Sequence, residues 1–261
     1  MTFTGFIGTV CMFPLRAIIA TSVALRIHPN TLTLIGVLIN VGAAVALGRD
    51  HFLLAGVIMI VANIFDFIDG KVAHITNTVS RFGAFWDSTL DRFSDIALFL
   101  GLIHLYANLR RTDYVMVAAL AMMFSIMTSY ARARAESLIE KCKVGFMERP
   151  ERIVLFMIGA FTDRMAGVLW VILVLSIITV ANRIHYTYLV LNSKPVPTGS
   201  NALTAAFSRA FFWRDERATL PYDLWVIAIL AFVWLTPPDW LNDPMAVGGK
   251  SFLQWAMGWT S

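Results

Sequence analysis

The sequence predicts an all-α, polytopic membrane protein. It has six transmembrane helices after an N-terminal amphipathic juxtamembrane helix, and then a C-terminal extension. Three observations predict this. Of 261 residues, 58% are hydrophobic and only 15% charged, with a mean hydropathy of +0.69, where a soluble domain carries about 25% charged residues. Apolar runs recur between short polar turns, at lengths near the roughly 20 residues a helix needs to cross a bilayer. Lys and Arg gather in alternate loops, as the positive-inside rule requires of a multi-pass chain.

The elements follow in order. Residues 3–19 mix apolar side chains with Arg16 and a central Pro14, a pattern that suits a helix lying on the membrane surface. His28-Pro29-Asn30-Thr31 starts the first span, with Pro pre-set for a first helical turn and Asn as the cap. That span covers residues 31–47. The second covers 52–75 and the third 81–109, with the loop 76–80 between them. The fourth runs over 114–130 and continues as helix through Glu136. A shorter apolar helix covers 153–161, is broken at Thr162-Asp163-Arg164, and leads to the sixth span, 166–181.

The domain reading is a membrane domain over 1–193 and an extension over 194–261. The extension opens with a Pro- and Gly-containing linker and holds one apolar run, 224–235. That run is short for a crossing, and the sequence leaves a re-entrant helix and a true span open.

Charge sets the orientation. Twelve Lys and Arg residues, from Arg16 and Arg26 through to Arg183 and Lys194, fall on the side of the N-terminus, against Arg49, Arg110, Arg111 and Arg164 on the other. The expected place is the cell membrane, multi-pass, with the 76–80 loop and the active site facing the cytoplasm. No cleavable signal peptide is expected, because residues 1–20 lack a basic leading region. Cys11 and Cys142, the two cysteines, stand in no metal-ligand spacing and read as small apolar packers. No nucleic-acid partner is expected.

Inside this apolar chain lies DFIDGKVAHITNTVSRFGAFWDSTLD, residues 66–91, with four carboxylates: Asp66, Asp69, Asp87 and Asp91. Ionisable residues within membrane helices mark functional sites. Asp66 and Asp69 are three apart and Asp87 and Asp91 four apart, so each pair shares a helix face. Counted from the loop, Asp69 and Asp87 lie ~9 Å deep, and Asp66 and Asp91 ~14 Å, at 1.5 Å per residue. The pairs are level across the hairpin, and Gly70 and Gly83 leave room at its mouth.

Four such carboxylates repel one another unless cations neutralise them. With no His or Cys in ligand spacing, an oxygen-only donor set points to Mg²⁺ or Mn²⁺. The bland alternative is a set of salt bridges to Lys71, Arg81 and Arg92, which would not need matched spacing. A metal or proton transporter is the alternative from another functional class. It would place acids at several membrane depths, and the opposite half of the chain looks dry.

The pattern Asp66-x2-Asp69-Gly70-x2-Ala73-x9-Gly83-x3-Asp87-x3-Asp91 resembles the signature of the CDP-alcohol phosphotransferase family, at the same spacings. One position departs: the family's Arg after the Ala is His74 here. Pro29-Asn30-x2-Thr33 and six spans after an amphipathic helix also resemble the family.

The resemblance implies a homodimeric enzyme of phospholipid biosynthesis that binds a CDP-linked lipid through a two-metal site. An acceptor hydroxyl attacks the lipid-side phosphorus and CMP leaves. Asp66, Asp69 and Asp87 would be the principal metal ligands. Asp91 would be general base with partial ligation, and Asn30, Thr33, Gly70, Ala73 and Gly83 would contact the nucleotide. Asp95 extends the Asp87/Asp91 face but lies outside the signature.

A second patch bears on the acceptor. Arg132 and Arg134 leave the fourth span, and Arg149 and Arg152 stand three apart at the start of the next helix. Helix N-termini and forked guanidinium groups both favour a bound phosphate; the bland reading is a positive-inside flank.

The pairing of Ser129-Tyr130-Ala131-Arg132-Ala133-Arg134-Ala135-Glu136 with Glu148-Arg149-Pro150-Glu151-Arg152 resembles the phosphatidylinositol phosphate synthases. In that subgroup these arginines hold the phosphate of inositol phosphate. The expected reaction is transfer of a phosphatidyl group from CDP-diacylglycerol to inositol phosphate, a phosphorylated polyol. Glycerol 3-phosphate is the alternative acceptor.

Overall fold

The computed structural model describes residues 15–195, 213 and 219–243. Every regular element among them is helical: α1 (Leu15–Ala24), α2 (Pro29–Gly48), α3 (Phe52–Ile75), α4 (Arg81–Asn108), α5 (Thr112–Glu136), α6 (Arg149–Thr162), α7 (Met165–Leu191), α8 (Leu220–Leu235), and a 3₁₀ turn, Pro238–Leu241.

Among the described residues, four helices, α2, α3, α5 and α7, are long and apolar enough to cross a membrane. Two of the six expected spans do not meet that description. α4 is long, at 28 residues, but carries Arg81, Asp87, Asp91, Arg92 and Asp95. α6 has 14 residues, ~21 Å of helix. Exposed Leu38, Leu53, Leu54, Val57, Val174 and Ile184 give the long helices apolar outer faces, which suit lipid rather than water.

Most boundaries match the sequence expectation to within a few residues. Two do not. The cap of α2 is His28, whose Nδ1 accepts from the Asn30 backbone N–H at 3.2 Å, so Asn30 lies inside the first turn and is not the cap. α7 continues ten residues past the expected end at 181. Residues 3–14 of the expected juxtamembrane helix lie outside the described residues, while 15–24 are helical.

The chain divides into two compact units between Arg110 and Arg111. In the first, α2 packs on both α3 and α4, which make no close backbone contact with each other. Small residues allow this approach. A side chain at Gly101 of α4 would strike the carbonyl of Ala44, and one at Gly36 would come within 3.3 Å of Phe65. Asn40 of α2 also donates to Ser94 Oγ of α4 at 2.6 Å in the buried interior. α1 joins through Ile19, which packs with Leu32, Ile68 and Val72.

In the second unit, α7 packs on both α5 and α6. Asp163, in the left-handed conformation with φ +53°, ends α6. α8 runs the length of this unit. Near its start, Tyr222 Oη donates to Glu151 Oε1 at 3.0 Å. Beyond its end, Leu241 O accepts from Tyr114 Oη and Asn242 O accepts from Arg111 at 2.6 Å.

Candidate active site

The gap between α3 and α4, both resting on α2, is the first site. Ser80 caps α4, its hydroxyl accepting from the Gly83 backbone N–H at 2.9 Å. The hairpin register this fixes brings carboxylate oxygens of Asp66, Asp87 and Asp91 within 4.8 Å of one another. Three like charges so close, all half-buried, repel unless a cation lies among them. Their hard oxygen donors fit Mg²⁺ or Mn²⁺.

Asp69 stands apart from this trio. It is buried, and its Oδ2 accepts from Thr33 Oγ1 at 2.5 Å. Thr33, expected at the nucleotide, thus orients an acidic side chain, the kind of outer support that fixes a metal ligand.

Beside the carboxylates opens a cleft lined by all five residues expected to contact the nucleotide, Asn30, Thr33, Gly70, Ala73 and Gly83, together with Asp69 and Asp87. The two glycines differ. A side chain at Gly70 would meet nothing within 4 Å, whereas at Gly83 it would lie 3.1 Å from Ser80 Oγ. The open space at Gly70 belongs to the cleft. His74, standing where the family has Arg, lines the cleft as well. Asp95, four residues beyond Asp91, is buried on α4.

The second site lies in the other unit, where sequence reasoning saw only part. Glu148 Oε1 accepts from Arg132 Nη1 at 2.8 Å and from Arg183 Nη2 at 3.3 Å. Arg183 is 2% exposed. It also donates to Val144 O at 3.0 Å and Thr128 O at 2.5 Å. Arg152 is buried and donates to Thr128 Oγ1 at 3.1 Å.

Arg132, Arg152 and Arg183 are therefore joined through Glu148 and Thr128, with Arg149 opening α6 next to Glu148. Arg134 does not share these partners. It is exposed and donates to Ser137 Oγ at 3.1 Å.

Arg183, Glu148 and Thr128 were missed. In sequence Arg183 reads as a loop charge, because the expected span stops at 181; the helix continues and buries it. A lone Arg in an apolar helix is itself a functional signal. The loop 137–148 reaches the cluster through Gly145, at φ +91° and so close to Thr179 that a side chain would come within 2.5 Å of its Cγ2. The Met147 backbone N–H donates to Thr179 Oγ1 at 3.1 Å. Cys142 packs in this loop with Ala135, Ile139 and Val144, and burial pushes its thiol up; Cys11 lies outside the described residues.

The sequence model of CDP-alcohol phosphatidyltransferases matches residues 26–182, which include the whole acidic hairpin. The chain belongs to the CDP-alcohol phosphatidyltransferase family. Members of this family are enzymes that transfer phosphatidyl groups.

Among its relatives, the archaetidylinositol phosphate synthase of Pyrococcus horikoshii is 36% identical over 173 residues, 66% of this chain and 89% of that protein. The phosphatidylinositol phosphate synthase of Mycobacteroides abscessus is 35% identical over 166 residues, 60% of this chain and 76% of that one. Two solved structures of the Mycobacterium tuberculosis phosphatidylinositol phosphate synthase share the fold. One, with CDP-DAG bound, has a TM-score of 0.63 at 27% identity, covering 67% of this chain and 93% of that one. The other, with manganese and citrate, has a TM-score of 0.64 at 26% identity, covering 73% and 97%. α8 lies beyond the family match.

Proposed function

We propose that this phosphatidyltransferase moves a phosphatidyl group from CDP-diacylglycerol to a hydroxyl of inositol phosphate, releasing CMP. The observation that carries the reading is the convergence of Asp66, Asp87 and Asp91 beside a cleft with open space at Gly70. The names of the relatives support inositol phosphate as acceptor, and CDP-DAG in a related structure supports the donor. Membership of this family sets the transporter alternative aside.

Asp66, Asp69, Asp87 and Asp91 would hold the divalent cations, Mg²⁺ or Mn²⁺; manganese in a related structure supports the assignment. When bound, such cations neutralise the donor pyrophosphate and the departing CMP. Thr33 keeps the Asp69 carboxylate turned in one direction. Asn30, Gly70, Ala73 and Gly83 leave the nucleotide its room. Arg132, Arg134, Arg149 and Arg152, with Arg183 behind them, hold the acceptor phosphate by charge-assisted hydrogen bonds. Asp91 takes the proton of the attacking hydroxyl as the new O–P bond forms and the bond to CMP breaks.

The same reading keeps a homodimer in the cell membrane among membrane lipids, with the active site on the cytoplasmic side and domains over 1–193 and 194–261. It counts α4 and α6 among six crossings: the carboxylates of α4 face a charged ligand, and α6 is extended by its polar ends.

The test is purified protein with labelled CDP-diacylglycerol, Mg²⁺ or Mn²⁺, and a panel of inositol phosphate, glycerol 3-phosphate and free inositol. CMP release with a phosphorylated inositol lipid as product is expected from inositol phosphate alone. Product from glycerol 3-phosphate instead reassigns the acceptor. Turnover of free inositol at a comparable rate sinks the phosphate pocket.

A further inference from the structure

The reaction assigns nothing to the C-terminal segment, yet that segment closes on the arginine cluster. Glu151 stands in the first turn of α6 between Arg149 and Arg152. It is 8% exposed, and its Oε1 accepts the Tyr222 hydroxyl at 3.0 Å. A carboxylate in that place can compete with a bound phosphate for nearby arginines. A hydroxyl donor on one of its oxygens restricts where it can turn.

The loop leading into α6 is gripped too. The Phe146 ring meets Trp213 edge-on at 4.7 Å and Tyr222 at 5.8 Å, and Trp213 rests on Trp225 at 5.5 Å. Such aromatic pairs contribute beyond the area they bury. Phe146 is two residues before Glu148, the carboxylate that Arg132 and Arg183 share. The C-terminal segment therefore touches both ends of the run 146–152. Its own far end is tied at Leu241 and Asn242 by Tyr114 and Arg111, so it is anchored at two points of the unit.

We propose that this segment is a positioning element of the acceptor site. Tyr222 holds the Glu151 carboxylate and Trp213 pins Phe146, which fixes the run 146–152, and with it Arg149 and Arg152, in place for the phosphate dianion of a small phosphorylated polyol. The proposal rests on the acceptor reading above, and its test separates the two. In the full-length chain, KM for inositol phosphate, KM for CDP-diacylglycerol and thermal unfolding in detergent are measured for Arg152→Ala, Tyr222→Phe, Trp213→Ala and Trp213→Phe.

Arg152→Ala should raise KM for inositol phosphate by roughly tenfold to a hundredfold. Tyr222→Phe, which removes one hydroxyl and keeps the ring, should raise it by roughly threefold to tenfold. Trp213→Ala should raise it as well, and Trp213→Phe should restore most of the loss. KM for CDP-diacylglycerol should stay in place throughout.

An effect of Arg152→Ala with none from Tyr222→Phe or Trp213→Ala overturns the positioning role and leaves the acceptor site standing. No effect of Arg152→Ala overturns both. A rise in the two KM values together, with a lower unfolding temperature, makes the segment a general brace and overturns the proposal. If Trp213→Ala does not fold, Tyr222→Phe decides alone.

Discussion

The two units share a plan, a central helix packed on two others, but build their charged sites differently. In the first, α2 holds α3 and α4 apart, and the acids face the gap from two helices joined by five residues. In the second, α7 itself supplies Arg183, and the cluster needs Arg132 from α5, Arg152 from α6 and Glu148 from a loop. The first is a local site, its acids drawn from one hairpin of 26 residues. The second is a non-local one whose charges already answer one another. Acids gathered within one apolar hairpin are readable in sequence as an anomaly; charges gathered from distant elements hide among ordinary flanking charges.

The largest expected effect tests the first half of that contrast. Asp66→Asn, or EDTA on the unmodified protein, should reduce turnover to background, with Mg²⁺ or Mn²⁺ reversing the EDTA effect only. Full turnover in EDTA would mean that the acids work without a divalent cation. Asp91→Asn should also stop turnover while CDP-diacylglycerol binding by isothermal titration persists. Equal loss of binding would make Asp91 chiefly a ligand.

Next comes Arg183→Ala. Removing one member of a buried ion pair costs about 3–5 kcal/mol, because its partners stay buried. Thermal unfolding in detergent should shift down strongly, with acceptor binding lost as a consequence. Near-normal stability would show that Arg183 contributes charge for a ligand and not structure.

A smaller effect separates a cleft from a packing surface. Gly70→Ala meets no neighbour and improves helix propensity by about 1 kcal/mol, so the unfolding temperature should rise slightly while KM for CDP-diacylglycerol rises. An unchanged KM would remove Gly70 from the nucleotide site. The smallest effect is at Cys142, whose buried thiol stays protonated at neutral pH. Mass spectrometry after brief maleimide treatment of the folded protein should find residue 142 unmodified.

How far the sequence could be read follows the same division. The hairpin was legible because period, spacing and loop lie within 26 consecutive residues; α3 spans Phe52–Ile75 and α4 starts at Arg81, as expected. The Thr33–Asp69 contact was not, since nothing in a helical repeat says which of several polar residues a carboxylate will choose. The sequence places the end of α7 before Asn182-Arg183, because polar residues normally close a span; here carbonyls of α5 and the 137–148 loop accept from the Arg183 guanidinium within the continuing helix. The role of Glu148 was hidden for a related reason. It reads as the capping position of α6, yet it makes no side-chain cap and its oxygen is taken by two arginines.

Tyr222 and Glu151 are 71 residues apart, and that separation sets an order of assembly. At about 5–20 residues per second of synthesis, Glu151 waits roughly 4–14 s for its hydroxyl donor to exist. The acidic hairpin, complete once Asp91 has been made, has no such wait. On the roles proposed above, a nascent chain acquires its donor half early and a finished acceptor pocket only once Tyr222 has been made. Ribosome stalling or premature termination between these points would leave a membrane-inserted species able to hold a nucleotide-lipid but poorly able to pass it on. On that proposal, synthesis of α8 turns a binder into a working transferase.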